Sequence, residues 1–215
     1  MEKELFYYDQ LRKEMIDFLP NSIHRCIEFG CAKGRFSSFI KEKYKAESWG
    51  VDLDEDAIRS AERKLDRVLC GDALEMIEQL PDNYFDCLIC NDFLEHLNYP
   101  DAFLRRIKKA LKKDAYLVCS LPNVRYLNNS IEFLIKKDWQ YKEAGILDYT
   151  HFRFFTKKSL ERMLESCKLE IELIKGINPK SSLKSRFLLW SLNTLTMGAT
   201  SDMRYLQFGV RARFT

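Results

Sequence analysis

The chain's 215 residues make one domain of ordinary size, and 46% hydrophobic with 31% charged residues describes a soluble globular protein with apolar mass for a real core. A net charge of +3 is too small an excess to argue for a nucleic-acid partner, which needs a concentrated basic face. The opening MEKELFYYDQ has an acid at once and no apolar core region, so no signal peptide is expected, and no apolar stretch approaches the ~20 residues that span a bilayer.

Residues 3–19 are predicted as an amphipathic helix with Leu11, Met15 and Phe18 on one side, ended by Pro20 and Asn21. Strand-like runs then alternate with helical stretches: HRCIEF, a helix over 34–43, ESWGVD, a helix over 55–65, RVLC, a short helix over 73–79, FDCLIC, a helix over 100–112, and YLVCSL. Short apolar strands separated by helices predict a parallel sheet buried on both faces, and right-handed crossovers make that a doubly wound α/β fold. Farther on, Thr156 can cap a helix running to about Cys167. The strands LEIELI and YLQFGVRA follow, separated by KSSLKSRFLLWSLNTLTMG, too long for a hairpin loop. The seven cysteines, an odd number, predict free thiols in a reducing cytoplasm. Cys87 and Cys90 lie three apart on a predicted strand, so they point to opposite faces and make neither a metal nor a redox pair.

The stretch CIEFGCAKGRF, residues 26–36, puts Gly30, Ala32 and Gly34 on alternate positions after an apolar strand ending in Glu28. A strand, a small-residue turn and a helix start form a nucleotide-type cradle at the carboxyl end of a sheet. The dinucleotide fingerprint G-x-G-x-x-G fails because position 35 is Arg, and no Walker pattern is present. Asp52 lies at the tip of the second predicted strand, where an acid can accept hydrogen bonds from both hydroxyls of a ribose.

IEFGCAKGRF, VDLD, GDALE and FDCLICNDFLEHL, in register with the strands, together resemble the class I S-adenosylmethionine-dependent methyltransferases over about residues 20–175. The resemblance implies a Rossmann-like, doubly wound, mostly parallel seven-stranded sheet with an antiparallel C-terminal strand, and S-adenosylmethionine as cofactor. It implies that Asp72 meets the adenine amino group with the Ala73 backbone beside it, and that Glu28 and the backbone near Asn91 hold the methionine end. Leu53, next to Asp52, is placed with these cofactor contacts. Ala32 stands where the family has a second glycine. The chain then divides as a single domain, 1–215: an N-terminal helix over 1–20, a cofactor-binding half over 21–121, and an acceptor-side half over 122–215 with a hydrophobic helical insertion over 180–198.

For the acceptor, an alcohol or phenol gains from a general base, and there are three histidines. His24 opens the first strand at the far end. His96 and His151 are the candidates, with His151 preferred and with Asp148 or Arg153 to orient it or meet a polar acceptor. Asp92, Glu95 and His96 share one face if that segment is helical. They resemble an acid-x-x-Glu-His motif of ubiquinone-pathway O-methyltransferases that can hold a divalent metal, but a cap plus a packed histidine is the expectation, with no metal. SLPNVRY and DYTHFRFFT resemble a subgroup often encoded with glycosyltransferases, which implies a small-molecule, sugar or surface-glycan acceptor. A non-catalytic cofactor-binding or assembly protein is the alternative. No Asn-Pro-Pro-Tyr or Asp-Pro-Pro-Tyr follows the fourth strand, as it would in amino-methylating DNA enzymes. The helix near Phe187 to Leu195 is open to four readings: burial, which is the usual fate, a lid, a homodimer face, or a contact for a lipid-linked acceptor or membrane surface met by Lys180, Lys184 and Arg186.

Overall fold

The apolar runs become neighbouring strands of one sheet in a computed structural model that describes residues 11–179 and 182–215. β1 (Arg25–Phe29), β2 (Glu47–Asp52), β3 (Arg67–Cys70), β4 (Phe85–Asn91) and β5 (Leu111–Pro122) run parallel. β7 (Tyr205–Phe214) is inserted antiparallel between β5 and the edge strand β6 (Leu169–Pro179), giving the order β3-β2-β1-β4-β5-β7-β6. The alternating pattern predicted the parallel, doubly wound sheet, and the seven-stranded Rossmann-like arrangement is the one the family resemblance implies. The order reverses between β1 and β4, so the crevice for a ligand opens at the carboxyl ends of those two strands.

Both sheet faces are covered, and successive strand residues divide between two cores as the period of two requires. Ile27, Phe29, Leu88, Cys90, Leu117 and Cys119 enter one core, while Cys26, Cys87, Ile89 and Val118 enter the other. Cys87 and Cys90 therefore face opposite sides, and both are buried free thiols.

The helices are α1 (Arg35–Tyr44), α2 (Glu55–Ala61), α3 (Ala73–Ile77), α4 (Pro100–Ile107), α5 (Leu127–Leu134), α6 (Lys157–Ser166) and α7 (Leu183–Leu195). Thr156 caps α6 as expected: its hydroxyl accepts the Ser159 N–H, and the Ser159 hydroxyl accepts the Thr156 N–H in return. The helix predicted over 100–112 stops at Ile107 and tightens into a 3-10 turn, because Leu111 already pairs with Phe85 in the sheet.

Of the helix predicted over 3–19, residues 3–10 lie outside the described residues. The described part is a 3-10 helix, Lys13–Phe18. Its tighter turn places Met15 and Phe18, three apart, on the same side, and both are buried against the sheet. Gly209 of β7 makes this docking possible, since a Cβ there would lie 2.5 Å from the Phe18 ring. The expected burial of α7 is also corrected. Leu183, Phe187 and Trp190 project outward at 81%, 70% and 65% exposure.

Candidate active site

The turn after β1 is the cradle the sequence describes. Gly30, Ala32 and Gly34 all have left-handed backbones, with φ of 71°, 46° and 70°. Gly30 and Cys31 donate to the Val51 carbonyl at 2.9 and 3.1 Å, which ties the loop to the end of β2. Gly34 is the residue before α1, and a Cβ there would press on Ala61 and Leu65 at 3.1 Å. Ala32 pays for its left-handed conformation with strain on the order of 1 kcal/mol. It is held there by its N–H, which donates to Asp52 Oδ2 at 2.7 Å.

Asp52 is thus positioned by backbone on both sides, since its Oδ1 accepts the Asp54 N–H at 3.0 Å. Each oxygen keeps acceptor capacity for a further donor. Leu53 beside it is 72% exposed, an apolar side chain left bare at the rim of the cradle. Asp72 spends one oxygen on capping α3, accepting the Leu74 N–H at 2.8 Å, and Ala73 is buried next to it.

Glu28 sits beneath the loop rather than open to it. Its Oε2 accepts both the Ser37 hydroxyl at 2.6 Å and the Ser37 N–H at 3.2 Å. Burial pushes its carboxyl up to about 7; the Ser37 hydrogen bonds oppose that, and the nearby Asp52 charge adds to it.

At the tip of β4 two side chains are buried without partners. Neither amide atom of Asn91 is hydrogen-bonded, nor is either carboxylate oxygen of Glu95, which is 0% exposed. Buried polar atoms are rarely left unsatisfied, and these lie at the strand order's reversal point, where a polar ligand belongs. With the Gly30–Gly34 cradle and the Asp52 acceptor, this donor and acceptor set fits a ligand carrying a ribose and an amino-acid end.

The segment 92–96 departs from the expected shared helix face. Asp92 has φ of 47°, and only Leu94–His96 forms a 3-10 turn. Asp92 turns away to pair with Arg12, and it also accepts the Ser120 hydroxyl at 2.8 Å and the Gln207 amide at 2.6 Å. Burial works against the Arg12 charge, yet Asp92 and Glu14 hold its guanidinium above the ordinary value. Asp92 is therefore committed to fastening the N-terminal segment to the ends of β5 and β7.

His151 is brought to His96 by the backbone. The Glu95 carbonyl accepts the N–H groups of Phe152 and Arg153 at 2.9 and 3.1 Å, docking the 148–153 segment on the 94–96 turn. The two imidazoles meet edge to face with ring centroids 4.7 Å apart. His151 is 9% exposed, and its Nδ1 lies 3.0 Å from the Ile146 carbonyl. That contact makes Nδ1 the protonated nitrogen and leaves Nε2 as the free base.

Asp148 serves the other histidine. Its Oδ1 accepts the Thr150 hydroxyl at 2.6 Å, and that hydroxyl oxygen lies 2.9 Å from His96 Nδ1. Burial first, then the neighbouring His151, lowers the His96 pKa below its ordinary value. Arg153 does not orient an imidazole, because it donates to the Asn98 carbonyl at 2.6 and 2.8 Å. Burial, with Asp92 adding to it, raises the Glu95 pKa well above its ordinary value. Glu95, His96 and His151 each offer one donor atom, and these atoms lie within 4.8 Å of one another. No sequence periodicity joins residues 95 and 151. The only available signal was that DFLEHL and DYTHFRFFT each carry a histidine beside acids.

A methyltransferase-domain family matches residues 2–173. A ubiquinone biosynthesis O-methyltransferase from Idiomarina loihiensis is 27% identical over 160 residues, covering 71% of this chain; the chain spans 64% of that curated relative's length. The fold is similar to an S-adenosylmethionine-dependent methyltransferase from Archaeoglobus fulgidus, with TM-score 0.64, 23% identity, and coverage of 97% of this chain and 93% of that one. It is also similar to an S-adenosylmethionine-dependent methyltransferase from Mesorhizobium loti, with TM-score 0.63, 17% identity, and coverage of 93% and 95%. With the strand order, the left-handed cradle and the acid at the tip of β2 already in place, the chain belongs to the methyltransferase-domain family, in its class I fold, and its cofactor is S-adenosylmethionine.

Proposed function

We propose that the protein methylates a hydroxyl oxygen of a small molecule, a sugar or a surface-glycan precursor. When bound, S-adenosylmethionine supplies the methyl group as an electrophilic carbon on a sulfonium. In this reading Asp52 accepts from the ribose hydroxyls, Leu53 flanks the adenine, Asp72 and the Ala73 backbone meet its amino edge, and the loop 30–34 lies against the methionine–ribose portion. Asn91 offers its unpartnered amide to the methionine end. Glu28 acts from below by holding the first turn of α1.

The observation that carries the acceptor chemistry is the His96–His151 pair at the carboxyl end of β4. A hydroxyl is a weak nucleophile until its proton has somewhere to go, and a neutral imidazole near the acceptor takes it. The Asp148–Thr150 chain behind His96 moves the preference from His151 to His96. That chain holds His96 Nδ1 and leaves Nε2 for the acceptor, and the carboxylate steadies the imidazolium that forms. Burial first, and then the neighbouring His151, disfavours the charged form of His96, which favours the neutral imidazole as the base. A sugar-like acceptor is supported by the resemblance of SLPNVRY and DYTHFRFFT, and a phenolic one by the O-methyltransferase relative. Incubation with methyl-labelled S-adenosylmethionine and separate pools of phenols, sugars and glycan precursors tests this. Label in one of these pools, lost in His96→Gln, is the expected result. Label in none of them, from a protein that binds the cofactor, would favour the non-catalytic alternative.

A further inference from the structure

We propose that α7 is a docking element for an anionic lipid surface. Leu183, Phe187 and Trp190 stand at i, i+4 and i+7, so they lie on one face of the helix, and all three point away from the protein. Met197, just past the helix end, is 98% exposed. The Phe187 and Trp190 rings are neighbours, with centroids 6.0 Å apart. A row of large exposed apolar side chains is rare on a soluble surface unless something covers it.

Charge selects what covers it. From Leu173 to Ser201 the sequence has no Asp or Glu, whereas Lys175, Lys180, Lys184 and Arg186 fall within it. Arg186 is exposed beside the apolar row. An aromatic and aliphatic face on a stretch of sequence whose only charged residues are cations matches the boundary of a bilayer with anionic headgroups, where the rings enter and the basic groups stay at the phosphates. The same face on a second copy would set cations against cations, which disfavours a symmetric dimer through it. The helix lies on such a surface rather than crossing it, because among the described residues no helix is long and apolar enough to span.

The anchoring of α7 gives the docking a direction. Beyond its C-terminal end, Arg125 donates to the Ala199 carbonyl at 2.6 Å and pairs with Asp202 at 3.0 Å, and Asn123 donates to the Asp202 carbonyl at 3.0 Å. Asn123 and Arg125 follow β5, at the sheet end where the site lies. A protein held by α7 would thus keep its acceptor side close to the lipid.

The test uses the full chain with vesicles of phosphatidylcholine alone and with one third phosphatidylglycerol. Flotation and the change in tryptophan emission on adding vesicles, to which the exposed Trp190 contributes, are read at low and high salt. The wild type should float with the anionic vesicles only, lose most of that binding at high salt, and show a blue shift. Leu183→Ser with Phe187→Ser, which keeps Trp190 as reporter, should weaken binding at least tenfold, and Lys184→Glu with Arg186→Glu should abolish the preference for anionic lipid. Far-ultraviolet circular dichroism and cofactor affinity, both unchanged, establish that the variants are folded. No flotation of the wild type, or flotation unaffected by the apolar pair of substitutions, would overturn the proposal. So would a wild-type dimer in sedimentation that the same pair converts to monomer without any lipid binding. These readouts do not depend on methyl transfer, so they separate this inference from the proposed activity.

Discussion

His96 and His151 sit edge to face at 4.7 Å although they come from opposite sides of β5 in the sequence, and the Glu95 carbonyl holds them together. If His96 is the base, His96→Gln should leave cofactor affinity intact and slow turnover by roughly 10²–10⁴. The loss should appear in kcat, because the proton is taken in the transition state. The wild-type rate should be flat at neutral pH and fall only as pH drops below 6.5, since the His96 pKa is lowered and its basic form persists to more acid pH. His151→Gln should have a smaller effect and shift that acid limb upward, by removing the neighbour that disfavours the charged form of His96. A rate profile unaltered in both variants would leave the acceptor without an imidazole base.

Chelation distinguishes proton transfer from metal chemistry at the same cluster. Turnover should survive prolonged dialysis against a chelator. Complete loss, restored by zinc or magnesium, would make Glu95, His96 and His151 ligands, since their donor atoms already lie within 4.8 Å.

Glu28 predicts a specific pH dependence of stability. Its carboxyl has a pKa of about 7 in the folded chain and about 4.3 when unfolded. A raised folded pKa contributes stability that is fully present below the unfolded value and lost as pH rises through the folded one. Comparing wild type with Glu28→Gln cancels the opposing effect of His96 and the parallel one of Glu95. The stability of the wild type relative to the variant should therefore fall by on the order of 3 kcal/mol between pH 4 and pH 8. Denaturant melts at both pH values measure it, and parallel curves would show that Glu28 is not held protonated.

Ala32 is a non-glycine residue with φ of 46° in a loop fixed at both ends. Ala32→Gly should relieve that strain and stabilise the fold by up to about 0.5 kcal/mol after the added freedom of the unfolded chain is subtracted. A destabilised variant would mean that the methyl group packs usefully in the cradle.

The fold was legible because buried parallel strands read as apolar runs: RCIEF, ESWGVD and FDCLIC all became strands where expected, and Thr156 began its helix. The cradle was legible for a local reason, the need for small residues in a left-handed turn. The side-chain pairings of the candidate site were not, because they depend on contacts remote in the chain. Asp92 leaves its neighbours for Arg12, Ser120 and Gln207, and Asp148 reaches His96 through Thr150 instead of serving His151. The apolar sequence of α7 reads as core, and only its placement shows Phe187 and Trp190 turned outward.

The central claim is that the Gly30–Gly34 cradle and Asp52 bind S-adenosylmethionine. Isothermal titration of the wild type and Asp52→Ala with the cofactor tests it most directly. The wild type should bind, and the variant should lose about 1.5–3 kcal/mol, the scale of hydrogen bonds to a charged group. Thermal melts should show the variant folded. A folded Asp52→Ala protein with unchanged affinity would contradict the assignment.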